Sequence, residues 1–178
     1  MKIDVSGGVK HENLVEYNGK FSELEVPSGD FPFHDGIRLV CRVKRDGDIS
    51  HIVGTVYGVA DLECSRCLTS LSQEISGDFD LVVKRLKLGE KVPEIFSEDE
   101  DDTDNIIFIS HDQIFVDVTG FVRDALLLSV PYKPLCGNDC KGLCPDCGAD
   151  LNEGPCGCVP KTGDPRWGSL TGLLKPKE

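Results

Sequence analysis

At 178 residues the chain can hold one substantial core with at most a small appendage. Its formal charge of −12 opposes general affinity for nucleic-acid phosphate, so any RNA contact has to be local or made through a partner. With 39% hydrophobic and 28% charged residues it has the make-up of a soluble globular protein, and no apolar run reads as a secretory signal or a membrane span. The expectation is a cytoplasmic protein, in which paired cysteines read as metal or redox sites before structural disulfides. The charge is also uneven. Residues 131–178 carry six Lys or Arg and six Asp or Glu, so the whole acidic excess lies in 1–130.

Met1 to Ser6 and Phe21 to Val26 each read as a short strand, and Pro27-Ser28-Gly29-Asp30 reads as a turn. Ile37, Leu39, Cys41 and Val43 alternate with Arg38, Val40, Arg42 and Lys44, the period-two pattern of a strand with one apolar face. Asp46-Gly47 is a hairpin signal, and Ile49 to Leu62, rich in Ile, Val, Thr and Tyr, is the return strand. Gly54 and Gly58 within it predict a bulge or a close approach of backbones. Leu71, Ile75, Phe79, Leu81 and Val83 share one face of the next strand. These stretches predict an antiparallel β-meander or barrel-like sheet.

Glu98 to Asp104 holds six acidic residues in seven and cannot contribute to a core. Ile106 to Ile109 reads as a short strand. Val118, Phe121, Val122, Ala125, Leu126 and Ser129 follow helical spacing, with Asp117 as N-cap and Pro131 as the stop. Leu127 and Leu128 widen that stripe, which predicts either deep burial or a partner surface. Asp164-Pro165 opens a last short helix with Leu170, Leu173 and Leu174 on its apolar edge. The expected organisation is an α+β fold. A β-rich domain spans 1–130, with an acidic loop at 93–105 and a capping helix at 117–129. A cysteine-rich zinc-binding module with the C-terminal helix spans 131–178.

Nine cysteines carry most of the chemistry, and six of them lie between Cys136 and Cys158. In Cys144-Pro145-Asp146-Cys147-Gly148, two thiolates two residues apart can grip one ion from a tight turn, and Gly148 supplies the positive φ that the turn needs. Cys156 and Cys158 return eight residues later to complete a set of four. All-sulfur tetrahedral ligation favours zinc, with iron as the alternative. Cys64-Ser65-Arg66-Cys67 ends the long strand. No helical stripe follows it, so a ligand knuckle fits better than a thioredoxin-type dithiol, which needs a helix N-terminus. Cys136 and Cys140 can complete a second set with Cys64 and Cys67, which leaves Cys41 as a buried core thiol. A competing partition makes one site from four tail cysteines and leaves Cys64 and Cys67 free. Two sites are preferred, because paired unsatisfied thiols are a liability in a cell. The four histidines are scattered without metal-like spacing, and no phosphate loop, nucleophile elbow or paired-carboxylate constellation is present.

Four features occur in order. They are Leu62-Glu63-Cys64-Ser65-Arg66-Cys67-Leu68 after a strand, the acidic loop, the helix ending in Leu128-Ser129-Val130-Pro131, and the tail Cys136 to Cys158 with Asp164-Pro165-Arg166-Trp167 and Leu170 to Leu174. Together they resemble the YceD-like family, bacterial proteins described as large ribosomal RNA subunit accumulation proteins. The resemblance covers most of 37–178. It implies a cytoplasmic, non-catalytic ribosome-biogenesis factor linked to 23S rRNA accumulation, acting on 23S rRNA or its precursor directly or through a large-subunit ribosomal protein. No membrane and no small-molecule substrate are implied. Some members have a shorter tail, so the resemblance does not make the local four-cysteine site essential to that role. The charge fits a basic ribosomal protein better than naked RNA. A CxxC redox or metal-handling protein using Cys64 and Cys67 is the alternative. Arg166 and Trp167 are the expected partner contacts: Asp164 and Pro165 already define the helix start, and Arg and Trp are hot-spot residue types. The competing reading has Trp167 covering the zinc module.

Overall fold

A computed structural model describes residues 1–6, 12–26, 33–91 and 105–158. The Pro27–Asp30 turn, the Glu98–Asp104 acidic stretch, the helix expected after Asp164-Pro165, and Arg166 and Trp167 lie outside the described residues. In chain order the elements are β1 (Lys2–Asp4), β2 (Glu12–Lys20), a 3-10 turn (Phe21–Leu24), β3 (Phe33–Asp46), β4 (Ile49–Glu63), β5 (Ser70–Arg85), β6 (Ile106–Ile109), β7 (Phe115–Asp117) and α1 (Thr119–Leu128).

The long strands follow the alternation. On β3 the side chains of Ile37, Leu39, Cys41 and Val43 are buried and those between them face outward. The hairpin to β4 pairs Asp46 with Ile49, and Gly47 takes φ +62 as the first of the two loop residues. A primed hairpin turn needs positive φ there, and glycine adopts it without steric cost. Strands β2, β3, β4 and β5 form an antiparallel meander, and β6 adds to β5 in parallel, from Val82↔Ile106 to Arg85↔Ile109. β1 and β7 make a separate two-stranded antiparallel sheet.

Three expectations need correction. The sheet is not barrel-like: β2 and β6 lie at opposite edges, and neither pairs with the other. Closure is unnecessary because α1 and the small sheet cover the inner face, where Val116, Val118, Val122 and Leu126 join the residues of β3, β4 and β5 in one core. Phe21 to Val26 is not a strand. Phe21–Leu24 turns instead, burying Leu24 completely and stacking Phe21 on Phe33 with ring centroids 4.8 Å apart. Asp117 is not the N-cap of α1. Val118 holds that position, and Asp117, one residue earlier, accepts hydrogen bonds from the Thr119 backbone N–H (2.9 Å) and hydroxyl (2.6 Å).

One glycine sets how closely the layers approach, and a second makes room within the sheet. A Cβ on Gly77 would lie 2.1 Å from the Ala125 carbonyl oxygen, so the backbone of α1 rests on β5 at this point. A Cβ on Gly54 would lie 2.6 Å from the Phe79 ring and 2.9 Å from Cys41 Sγ. The expected bulge or close backbone approach is not found at Gly54: side chains of the two neighbouring strands fill the space, and β4 keeps an unbroken register with β5. At the end of α1, Leu127 is half-buried whereas Leu128 is 85% exposed, so the wide apolar stripe is not spent on the core alone.

Candidate metal centres

The end of β4 turns sharply at Cys64. The Cys64 N–H donates to Thr69 O (2.9 Å), and the Cys64 carbonyl accepts from Leu68 N–H (2.9 Å). Leu68 closes the turn at φ +60, a conformation that costs an L-residue energy. The same pattern recurs eighty residues on. Cys144 N–H donates to Ala149 O (2.8 Å), and the Cys144 carbonyl accepts from Gly148 N–H (2.9 Å), with Gly148 at φ +74. Each turn bends two cysteines toward one point. Leu68 thus occupies the place that Gly148 fills in the second turn, a correspondence visible in the shared Cys-x-x-Cys-x spacing.

The sulfurs of Cys64, Cys67, Cys136 and Cys140 converge within 4.8 Å of one another, and those of Cys144, Cys147, Cys156 and Cys158 do the same. This is the two-set partition, with Cys41 apart and buried in the core, where burial pushes its thiol up to about 11. In the first group Cys64 Sγ lies 3.8 Å from Cys140 Sγ, and Cys67 Sγ lies 3.5 Å from Cys136 Sγ. A regular tetrahedron of metal–sulfur bonds of about 2.3 Å puts its sulfurs roughly 3.8 Å apart. All nine cysteines are free. Both groups could therefore hold a metal ion. Cys64, Cys67, Cys140 and Cys144 are buried, and Cys136, Cys147 and Cys158 are exposed. The first group also has an apolar surround in Leu71, Leu135 and Leu143. None of the described histidines joins either group; His34 instead pairs with Asp61 at 2.9 Å.

Charge is distributed alike in the two groups. Backbone N–H groups of Cys136, Cys67 and Arg66 aim at Cys64 and hold its thiol down at about 6. Those of Cys147 and Asp146 do the same for Cys144, again to about 6. One exposed thiol of each set faces the other sulfurs of that set. Cys136, crowded by Cys67, Cys140 and Cys64, is pushed up to about 12, as is Cys158 by Cys147 and Cys156. Four thiolates cannot share so small a volume unaided. A bound dication would supply the missing positive charge and deprotonate them together.

Two residues that carry no metal-ligand signature bind this region together. Arg66 sits between Cys64 and Cys67. Its guanidinium Nη1 donates to Cys140 O (2.8 Å), and its carbonyl accepts from Leu143 N–H (3.1 Å). Gly142, at φ +75, lies so close that a Cβ there would be 3.0 Å from that carbonyl oxygen. Asn152 lies in the loop between Cys147 and Cys156. Its Oδ1 accepts from Lys141 N–H (2.8 Å), and its Nδ2 donates to Cys140 Sγ (3.5 Å). Sequence reading overlooks both, because their partners lie elsewhere in the chain. Arg166 and Trp167, the expected contact residues, lie outside the described residues.

The family of large ribosomal RNA subunit accumulation proteins, YceD, matches residues 52–174, a span that includes both sulfur groups. The chain belongs to the YceD family. Among its relatives, an uncharacterised protein of Mycobacterium leprae is 29% identical over 79% of this chain and 60% of its own length. An uncharacterised protein of Mycobacterium bovis is 30% identical over 78% of this chain and 62% of the relative. The large ribosomal RNA subunit accumulation protein YCED homolog 1, chloroplastic, of Arabidopsis thaliana is 26% identical over 81% of this chain and 50% of the relative. The chain thus spans between half and two thirds of the length of these YceD-family and mycobacterial relatives. No solved structure matches it. Among the described residues, no helix is long and apolar enough to cross a membrane.

Proposed function

We propose that the protein is a non-catalytic, zinc-binding ribosome-biogenesis factor that acts in the cytoplasm and supports accumulation of 23S rRNA. Membership of the YceD family carries this reading, since the family is described by large ribosomal RNA subunit accumulation. Zinc is the ion assigned to both sulfur groups, because four thiolates in a tetrahedral set suit it and such sites are closed and structural rather than catalytic. The contact runs to a large-subunit ribosomal protein in preference to naked pre-ribosomal RNA. A chain with a formal charge of −12 attracts basic protein surface and repels phosphate. A redox role for Cys64 and Cys67 is disfavoured by access, because both are buried and a reactive dithiol has to meet its partner.

Arg166 and Trp167 are proposed as contact residues on the grounds of residue type. The test replaces both with Ala in cells that depend on the protein. The expected outcome is lower 23S rRNA with zinc content and melting temperature unchanged. If metal is lost or the protein melts early, the pair is structural and the contact lies elsewhere.

A further inference from the structure

The two sulfur groups are not independent. The chain leaves Cys140 through Lys141, Gly142 and Leu143 and enters the second turn at Cys144. This short connection forms a small antiparallel ladder with the loop that follows Cys147. Leu143 bridges Asp150, Leu151 N–H donates to Gly142 O (2.9 Å), and Cys144 N–H donates to Ala149 O (2.8 Å). The ladder delivers Asn152 to the first group. Every polar atom of its carboxamide has a partner. Oδ1 accepts from Lys141 N–H, while Nδ2 donates both to Asp150 Oδ1 (2.7 Å) and to Cys140 Sγ (3.5 Å). Because Oδ1 is fixed by a backbone donor, the amide can face the sulfur only with its N–H.

We propose that Asn152 couples the two centres. A loop closed by Cys147 and Cys156 on their own ion holds Asn152 in place, and Asn152 stabilises the Cys140 thiolate as a ligand of the first centre. The proposal rests on the reading that both groups bind metal. An N–H donor fixes the direction of the ligand sulfur, and outer partners of this kind tune metal affinity by about 10- to 100-fold. By reciprocity, loading the first centre also tightens the second. The burial difference gives the coupling a direction. The second centre presents Cys147 and Cys158 to solvent, whereas the first exposes only Cys136. Chelators and oxidants therefore meet the second centre first, and its loss frees Asn152 and loosens the ion that ties β4 to the tail.

The test uses the full chain loaded with cadmium and followed by cadmium NMR, in which each tetrathiolate centre gives its own resonance. The Cys147→Ser/Cys158→Ser variant removes the second resonance and so assigns both. Chelator competition then reads each centre's affinity. Asn152→Ala is expected to keep both resonances, shift that of the first centre and lower the affinity of the first centre about tenfold. Asn152→Asp keeps the acceptor for Lys141 but loses the N–H donor, and is expected to weaken the first centre at least as much. The Cys147→Ser/Cys158→Ser variant should weaken it similarly, with Asn152→Ala adding little on top. Unchanged first-centre affinity in both Asn152 variants, a loss confined to the second centre, or full additivity overturns the coupling. A chain that shows no cadmium resonance overturns the underlying metal reading instead.

Discussion

Cys64 Sγ and Cys140 Sγ lie 3.8 Å apart although 76 residues separate them in the chain. Between them run β5, β6, β7 and α1, so one ion on these sulfurs closes a loop around half the fold. Long closures constrain the unfolded chain most, and binding energy at such a site is folding energy. Cys64→Ser and Cys140→Ser are therefore expected to lower the melting temperature by similar amounts, with the double variant little worse than either alone. Thermal melts of the metal-loaded proteins check this, and additive losses would count against a shared ion.

Leu68 holds φ +60 at the place where Gly148 holds φ +74 in the second turn. The left-handed conformation costs an L-residue about 1–2 kcal/mol and glycine almost nothing. The Leu68 side chain is mostly exposed, so little packing is lost with it. Leu68→Gly is expected to raise stability by about 1 kcal/mol in denaturant unfolding with metal content unchanged. A loss of stability would mean that the leucine makes contacts outweighing the strain.

The hydrophobic alternation of β3 and the hairpin at Gly47 were legible in the sequence because both are local: period and turn chemistry depend on neighbours in the chain. The grouping of cysteines followed from counting pairs. What stayed hidden depends on distant partners. Phe21–Leu24 has the composition of a strand end, and only the burial of Leu24 and the stacking of Phe21 on Phe33 make it turn. Whether the sheet closes is decided by how its edges meet, and the parallel placing of β6 beside Val82–Arg85 follows a connection whose course no periodicity reveals. Asn152 reads as a turn residue until Cys140 is placed beside it.

Gly77 was passed over for the same reason, since its neighbour, the Ala125 carbonyl, belongs to α1. A backbone atom cannot swing aside as a side-chain tip can. Gly77→Val is expected to push α1 off β5 and cost at least about 2 kcal/mol, the scale of core overpacking. Gly137→Ala is the control, because a Cβ there meets nothing within 4 Å, and it should leave stability nearly unchanged. Chemical denaturation of the pair checks the difference, and equal stabilities would contradict the close helix–strand contact.

Elemental analysis of protein purified without added metal tests the central claim most directly. The account predicts about two zinc ions per chain, one for each four-sulfur group, falling to about one in Cys147→Ser with the sheet still folded. A protein that carries no metal, with its tail cysteines joined in disulfides, would contradict it.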